Sequence, residues 1–202
     1  MSKKFKDNSF PEQGFTLIEI LVVIIITGLL AAIAAPSWIA FQNRQKLRTS
    51  NGDVLSAMQS AQSLAKAKRE TWQASFRIDP SNPEVTQFAV HPTTLPLTSI
   101  QTLDSKFDNP ENVWNSLEQN VVIDPAKTNL LRDPSNNNVY RIRFNYSGCP
   151  VDDSKERCTQ TSTALTIPQT ITLEHQQLGG ERCVRVETLL GALRPAGGAE
   201  CN

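Results

Sequence analysis

The chain contains, from residue 14 to residue 36, the stretch GFTLIEILVVIIITGLLAAIAAP. Across residues 17–35 only Glu19, Thr27 and Gly28 interrupt a run of hydrocarbon side chains. A run of this length can cross the hydrocarbon core of a bilayer as one helix. An ionisable side chain inside such a run is unfavourable in lipid and usually has a function. The stretch therefore predicts a membrane helix with a functional glutamate near its start.

Two simpler interpretations of this stretch stay open. A secretory signal peptide has a basic start, an apolar core and a small-residue cleavage site, which Ala32-Ile33-Ala34 would supply. The carboxylate inside the apolar run and the helix-forming sequence beyond Pro36 argue against it. A plain membrane anchor explains the length of the run, but neither the carboxylate nor the glycine before the phenylalanine.

Residues 14–19, GFTLIE, resemble the N-terminal signal of type IV prepilins and pseudopilins. In that family a membrane aspartyl peptidase cuts after the glycine and methylates the new N-terminal phenylalanine. The resemblance implies cleavage between Gly14 and Phe15, followed by N-methylation of Phe15. Counted from Phe15, Glu19 is the fifth residue, where the family has a glutamate, and Pro36 is the twenty-second, where the family has a helix-kinking proline.

The charges around the predicted cut agree with this assignment. Lys3, Lys4 and Lys6 precede it and would hold the leader on the cytoplasmic side of the membrane. Cleavage would leave a free amine beside lipid, where a carboxylate–ammonium pair is far better than either charge alone. We therefore expect Glu19 to pair with the N-terminal amine of a neighbouring subunit and to direct assembly of a filament. The alternative to this assembly role is that the Glu19 carboxylate finds its partners within its own helix.

Composition excludes a general polyanion binder. Removal of residues 1–14 leaves 188 residues, enough for one soluble domain beside the anchor. These residues carry 17 basic and 18 acidic side chains, so no global attraction to nucleic acid or to anionic membrane is expected.

All the cysteines lie in the last third of the chain: Cys149, Cys158, Cys183 and Cys201. An even number in a chain with an export signal predicts disulfides. Four cysteines allow three pairings. We favour Cys149 with Cys158 and Cys183 with Cys201, because each pair closes a short loop that contains turn residues. A zinc site is the alternative, but no C-x-x-C pair occurs and the only histidines are His91 and His175.

Hydrophobic periodicity predicts one long helix and then several short strands. From residue 37 to about residue 69, apolar side chains recur at helical spacing, typical of an amphipathic helix that packs on a globular domain. That stripe contains Leu47, Val54, Leu55, Met58, Ala61 and Leu64. Alternation and turn residues predict strands at residues 72–78, 85–90, 121–123, 139–146, 164–175, 182–188 and 192–194.

Several details accompany these strands. Residues 91–120 are predicted to be mostly loop, and residues 133–134 together with 136–138 are predicted to form a turn. In the strand 139–146 we expect Tyr140, Ile142, Phe144 and Tyr146 on one face, with Arg141 and Arg143 on the other. Pro168 interrupts the predicted strand 164–175, which would then be two short strands or one edge strand with a bulge. Pro195 is expected to close the last strand.

The predicted fold class is α+β: a long N-terminal helix, membrane half plus amphipathic half, packed on a C-terminal antiparallel sheet or small sandwich. The predicted division is a leader at 1–14, a membrane or filament-core helix at 15–36, the amphipathic half at 37–70 and an extracytoplasmic β-rich domain at 71–202. Residues 30–37 and the late hairpin resemble the GspH/FimT-type branch of the family. That branch contains minor pseudopilins of type II secretion and minor pilins of type IV pili.

Nothing in the sequence predicts catalysis. It contains no glycine-rich phosphate loop after a strand, no G-x-S-x-G and no H-E-x-x-H. We expect no enzymatic activity, no cofactor and no metal. Asp152 and Asp153 would supply too few ligands for calcium by themselves. His91 and His175 are expected at the surface or at strand edges.

DNA capture is the alternative function. Some minor pilins of the GspH/FimT-type branch bind DNA through a C-terminal hairpin with a G-R-x-R pattern. Residues 191–194, GALR, keep Arg194 as the second arginine but have alanine in the first position. Arg182 and Arg185 lie nearby, although acidic residues offset them, and DNA affinity needs several phosphate contacts.

The sequence thus predicts a minor pilin or pseudopilin, cut by prepilin peptidase and held in the inner membrane by a single span. Its C-terminal domain would lie outside the cytoplasm. With other subunits it would assemble into a type IV pilus or a type II secretion pseudopilus. A single-pass anchored domain that never polymerises is a further alternative.

Overall fold

A computed structural model describes residues 14–94, 114–153, 158, 165–177 and 179–201, with the backbone alone at 35 and 36. The leader up to residue 13, most of the predicted loop 91–120 and Ala164 lie outside these residues. The chain divides into two compact units, Met1–Phe41 and Gln42–Asn202. The second unit joins the predicted amphipathic half of the helix to the strands, while the predicted division at residues 14, 36 and 70 stays a prediction.

One helix, α1 (Leu17–Lys68), contributes to both units. It runs through Pro36 without interruption, so the proline does not end the helix; the bend expected from its missing N–H stays a prediction. Arg69 has φ of 55°, in the left-handed region where helices commonly stop. The helix therefore ends one residue before the predicted boundary.

Ten strands follow in the described residues: β1 (Trp72–Ile78), β2 (Thr86–Pro92), β3 (Asn115–Ser116), β4 (Val121–Ile123), β5 (Leu131–Asp133), β6 (Asn136–Phe144), β7 (Pro150–Val151), β8 (Gln169–His175), β9 (Glu181–Val186) and β10 (Leu193–Gly197). They form two antiparallel sheets, one in the order β3-β2-β1-β6-β5 with β7 beside β6, the other in the order β10-β9-β8-β4. A 3₁₀ turn, Gly198–Cys201, follows β10. One long helix with antiparallel sheets is the predicted α+β class.

Within the unit Gln42–Asn202, α1 and both sheets share one hydrophobic core. Four of the predicted stripe residues are buried there: Leu47, Val54, Met58 and Ala61. Leu55 and Leu64 are only half-buried, while Ala57 and Ala65 complete the buried face of the helix. Phe76 of β1 and Phe144 of β6 are fully buried, each contributing about 1.5–3 kcal/mol by leaving water.

The start of β6 differs from the prediction. The strand begins at Asn136, and the turn occupies residues 134–135, because the Asp133 carboxylate accepts the Ser135 N–H at 2.9 Å and reverses the chain earlier. At the other end β6 stops at Phe144, so the predicted place of Tyr146 in this strand is wrong, and the Tyr146 side chain is 60% exposed. β5 was not predicted, because three residues are too short for a period to be recognised.

The prediction was wrong about how Pro168 and Pro195 lie relative to their strands. Pro168, preceded by a cis peptide bond, stands just before β8, and β8 lies between β9 and β4 in the interior of its sheet. A proline outside the strand leaves the ladder intact, so neither an edge strand nor a bulge results. Pro195 lies inside β10 and does not close it, because an edge strand tolerates a missing N–H.

Several polar side chains of the two sheets are buried, among them both histidines that were predicted at the surface or at strand edges. Arg141 is 5% exposed, His91 4%, and His175 of the smaller sheet 2%. The Arg141 guanidinium donates to the Asp152 carboxylate at 3.0 Å, and Arg143 Nε donates to Gln73 Oε1 at 2.7 Å. These partners replace water, which removes the reason for the arginines to stay at the surface.

Candidate processing and assembly site

The predicted cleavage point lies in non-helical chain before α1. Gly14 is exposed, and among the described residues no atom beyond its chain neighbours lies within 4 Å of where its Cβ would be. Phe15 is 79% exposed. The peptide bond between them is therefore outside the hydrogen-bonded helix and open to a protease, since exposed irregular segments are preferred cleavage sites.

Thr16 caps α1, a role that the sequence prediction missed. Its side-chain Oγ1 accepts the Glu19 N–H at 3.3 Å, and its carbonyl oxygen accepts the Ile20 N–H at 3.3 Å. The first of these satisfies a backbone donor that the helix cannot satisfy itself. The signal was present in the sequence, because residues 16–19 read T-x-x-E, the pattern of a capping box.

Glu19 stands in the first turn of α1, with its side chain exposed. Its carboxylate has no ion pair or hydrogen bond with the residues that the structure describes. A negative charge at this end of a helix interacts favourably with the helix dipole. The carboxylate can therefore accept a cationic partner from another molecule.

The apolar side chains around Glu19 form a continuous exposed surface. Every large apolar side chain from Phe15 to Ile33 is at least 45% exposed. Thr27 donates its hydroxyl to the Val23 carbonyl at 2.8 Å, so its polar group is satisfied inside the helix. Among the described residues α1 alone is long and apolar enough to cross a membrane. An exposed apolar surface of this extent marks contact with lipid or with other proteins.

The end of the apolar run carries aromatic side chains. Trp38 and Phe41 are 62% and 59% exposed, and their ring centroids lie 6.1 Å apart. Aromatic rings favour the boundary between lipid and water. Next to Pro36, Ser37 donates its hydroxyl to the Ala34 carbonyl of the preceding turn at 2.9 Å.

The cysteines are paired as the sequence favoured. Cys149 bonds to Cys158 across a separation of 9 residues, and Cys183 to Cys201 across 18. The described residues contain no group of three or more His, Cys, Asp or Glu that could hold a metal ion. Asp152, one of the weighed calcium ligands, forms an ion pair with Arg141.

The arginines considered for DNA binding are only partly together. Arg194 lies opposite Arg185 across the pair β9–β10, while Arg182, three residues from Arg185, points to the other face of the sheet. Glu200 contacts both arginines of this close pair: its backbone carbonyl accepts from Arg185 at 2.9 Å, and its carboxylate accepts from Arg194 at 3.2 Å. Glu187 lies 3.3 Å from Arg185 Nε.

His91 belongs to a buried hydrogen-bonded chain in the larger sheet. Its Nδ1 lies 3.1 Å from the Pro92 carbonyl oxygen, which can only accept, so Nδ1 carries the proton. Its Nε2 therefore accepts the Ser75 hydroxyl at 2.9 Å. Burial lowers the pKa of His91, and the Arg143 charge lowers it further. Burial and the charge of Lys46 lower the pKa of His175 as well.

Comparison with known proteins concerns mainly the N-terminal stretch. Residues 10–35 match the family model described as prokaryotic N-terminal methylation motif. The type IV major pilin protein PilA of Myxococcus xanthus is 59% identical over 34 residues, 17% of this chain and 16% of that protein. The type II secretion system core protein G of Pseudomonas aeruginosa is 42% identical over 43 residues, 21% of this chain and 30% of that protein. The chain thus spans less than a third of either relative.

Among solved structures, the type IV minor pilin FimU of Pseudomonas aeruginosa matches in two crystal forms. The first has a TM-score of 0.44 at 11% identity, over 77% of this chain and all of FimU. The second has a TM-score of 0.43 at 13% identity, over 80% and 99%. Similarity at this level does not establish a shared fold. The sequence matches, together with the capped apolar helix and its glutamate, show that the N-terminal segment of this chain carries a prokaryotic N-terminal methylation motif.

Proposed function

We propose that this chain is a minor pilin or pseudopilin, a structural subunit of a type IV pilus or of a type II secretion pseudopilus. Prepilin peptidase cuts between Gly14 and Phe15 and methylates Phe15. The subunit then resides in the inner membrane through its single span, with the β-rich unit outside the cytoplasm, until it joins the filament. Matches to both a pilin and a type II secretion protein support either filament.

One observation carries the proposal: a glutamate without a partner among the described residues stands in an exposed apolar helix, four residues after an accessible glycine–phenylalanine bond. Cleavage at this bond creates an amine two residues before the first helical residue. Peptide dipoles make that end of the helix positive, so a second positive charge there is unfavourable. A carboxylate from another helix would stabilise the new ammonium by pairing with it. Glu19 of a neighbouring subunit can be this partner, because it carries a negative charge in apolar surroundings.

Processing is tested by the intact mass and the N-terminal residue of the protein from its native membrane. We expect a chain that begins with N-methylated Phe15. Gly14→Ala should block the cut, while Gly28→Ala, a matched change within the same apolar stretch, should leave it unaffected. A chain that begins near residue 35 would mean an ordinary signal peptide, and an uncut chain would mean a static anchor; either result contradicts the proposal.

Assembly is tested with Glu19→Gln, which keeps the shape of the side chain and removes its charge. Loss of one member of a desolvated pair should lower incorporation into filaments by about tenfold or more without changing membrane insertion. Thr27→Val is the matched control, because this polar group is satisfied within its own helix. Equal incorporation of Glu19→Gln and the unmutated subunit would refute the role of the carboxylate. No described contact favours DNA binding as a second function.

A further inference from the structure

Three cationic side chains follow one another closely in α1, at the start of the unit Gln42–Asn202. They are Arg44, Lys46 and Arg48, and we call them the basic girdle. Arg44 and Arg48 are exposed, and Lys46 is half-buried. No ionisable residue lies between Glu19 and Arg44, so the girdle carries the first charges after the apolar run. The positive charge is local, because the chain as a whole has no net charge.

The girdle surrounds the helix and does not mark a single face. With 3.6 residues per turn, Lys46 lies about 200° around the helix from both Arg44 and Arg48. Leu47 is buried on the side where α1 meets the turn between β8 and β9, and its Cδ2 lies 4.0 Å from where a Cβ of Gly180 would be. The cations therefore occupy the sides of α1 that the strands leave open.

No carboxylate neutralises the girdle within the described part of the chain, because none of its members forms an ion pair there. Burial and the charge of Glu118 raise the pKa of Asp53, the next acid along α1, so no cation stabilises that carboxylate. Arg44 and Arg48 stand four residues apart, where like charges lower the stability of a helix. An anion from outside the unit would relieve this repulsion.

The nearest turn of the strands adds no charge. Residues 176–180, which connect β8 to β9, read QQLGG. Glu181, the acid that follows them, is already paired with Lys127. An anionic surface can therefore approach the girdle without meeting an unpaired carboxylate from this turn.

The position of the girdle along α1 matches the thickness of a membrane. At 1.5 Å per helical residue, a contour length of about 40–46 Å separates Leu17 from Arg44 and Arg48. A bilayer with its headgroups is about 40–45 Å thick. If the helix begins at the inner surface, as the proposed single span requires, the girdle lies at the level of the outer headgroups.

The orientation of the span gives no reason for the girdle. Lysine and arginine favour the cytoplasmic side of a membrane. Cations on the outer side therefore oppose the orientation that the proposed function requires. The leader lysines, which favour that orientation, leave with the leader in the proposed cleavage. A positive cluster retained on the other side indicates a role after insertion.

We propose that the basic girdle binds anionic phospholipid headgroups at the outer surface of the membrane. The inference rests on the proposed function, because it requires the span. A headgroup layer surrounds a helix and reaches cations on several sides, whereas a protein partner contacts one face. Anionic lipid attracts each lysine or arginine near the surface, and guanidinium groups form strong hydrogen bonds with phosphate oxygens.

The test is tryptophan fluorescence of the full-length protein in equimolar vesicles of phosphatidylglycerol and phosphatidylcholine. One lipid at a time carries bromine on its acyl chains, which quenches tryptophans in contact with it. Trp38 is 62% exposed in α1 and serves as the reporter. We expect phosphatidylglycerol to be enriched around the protein by about threefold or more at low salt. The enrichment should disappear at about 1 M salt, where charges are screened within about 3 Å.

Variants separate the girdle from the other charges of the helix. Replacing all three girdle residues by glutamine should abolish the enrichment. Arg44→Lys combined with Arg48→Lys keeps the charge and should retain most of it. The matched control removes three exposed cations about 27 Å farther along α1 and should leave the enrichment unchanged. It combines Lys66→Gln, Lys68→Gln and Arg69→Gln. Near-ultraviolet circular dichroism checks that each variant is folded.

Several results would overturn the proposal. Equal quenching by the two brominated lipids, or an unchanged enrichment in the folded girdle variant, would exclude headgroup binding by these residues. Loss of incorporation into filaments with unchanged enrichment would assign the girdle to a protein surface. If neither brominated lipid quenches the fluorescence, the helix does not enter the bilayer. The proposed function then fails together with this inference.

Discussion

At the scale of single residues, Thr16 shows that one short stretch can carry two kinds of information. The residues that a processing enzyme would read also define the start of α1, because the Thr16 hydroxyl binds the Glu19 N–H. The predicted cut lies just before this cap. Cleavage would therefore place a new positive charge at the positive end of the helix, where it is unfavourable without a carboxylate partner.

Residue-scale chemistry also governs the buried histidines. The neutral His91 ring is matched to its surroundings, since Nδ1 donates to a carbonyl and Nε2 accepts a hydroxyl. A second proton on Nε2 would break the bond from Ser75 and would bring a charge into a buried site near Arg143.

Stability should therefore fall in acid. Because the pKa of His91 and that of His175 are lowered in the folded chain, the unfolded chain binds more protons below about pH 6.5. The free energy of unfolding should be level above that pH and should decrease as the pH falls toward the lowered pKa values. Urea unfolding at pH 7.5 and 5.0 measures the decrease, which His91→Gln should reduce. If the free energy of unfolding falls equally in His91→Gln, His91 does not contribute to the loss of stability in acid.

At the scale of elements, α1 is joined to the strands by polar as well as apolar contacts. Gln62 donates to the Gly148 carbonyl at 2.8 Å and to the Gly191 carbonyl at 2.9 Å. One helix side chain thus holds two separate loops, the loop between β6 and β7 and the turn between β9 and β10. The close approach of these loops leaves no room for a side chain at Gly191.

Two glycine substitutions should have opposite effects. Gly191 has φ of 79°, and a Cβ there would meet the Gly148 carbonyl and the Gln62 amide, so Gly191→Ala should destabilise the unit by more than about 1 kcal/mol. Gly52 lies inside α1 with open space around it, so Gly52→Ala should stabilise by about 0.5–1 kcal/mol. The midpoint of urea unfolding measures both. A neutral Gly191→Ala would mean that the loops separate easily.

At the scale of the whole molecule, the disulfides link segments whose own strands are short. Cys201, at the end of the described chain, is tied to β9, and together with Ala196 the pair Cys183–Cys201 forms a small buried cluster. This bond also holds Glu200 against Arg185 and Arg194. The bond at Cys149 closes a smaller loop beside β7.

Removal of either disulfide should cost about 3 kcal/mol from loop closure alone. The variant with serine at 183 and 201 should lose more than the variant with serine at 149 and 158, because it also disrupts a buried cluster and the contacts of Glu200. Urea unfolding of both variants, compared with the oxidised parent, gives the difference. The reverse order of losses would mean that Glu200 and the cluster contribute little.

Periodicity predicted the helix and the stronger strands because those signals are local. β1 and β4 have the predicted bounds, and α1 ends within one residue of the predicted position. β5 and β7, with three and two residues, were missed because their pairing with β6 requires a partner from elsewhere in the chain. The burial of Arg141 and His91 was missed for the same reason, since distant side chains supply their hydrogen bonds.

The sequence by itself determined the N-terminal segment, its apolar length, its glutamate and its match to the N-terminal methylation motif. These properties depend on consecutive residues, because membrane insertion, helix capping and recognition by a peptidase act on contiguous chain. Only the tertiary structure decided that Glu200 contacts Arg185 and Arg194, and that Gln62 donates to two separate loops. Such arrangements depend on which strands pair and which loops meet, and these choices follow from burial across the whole unit.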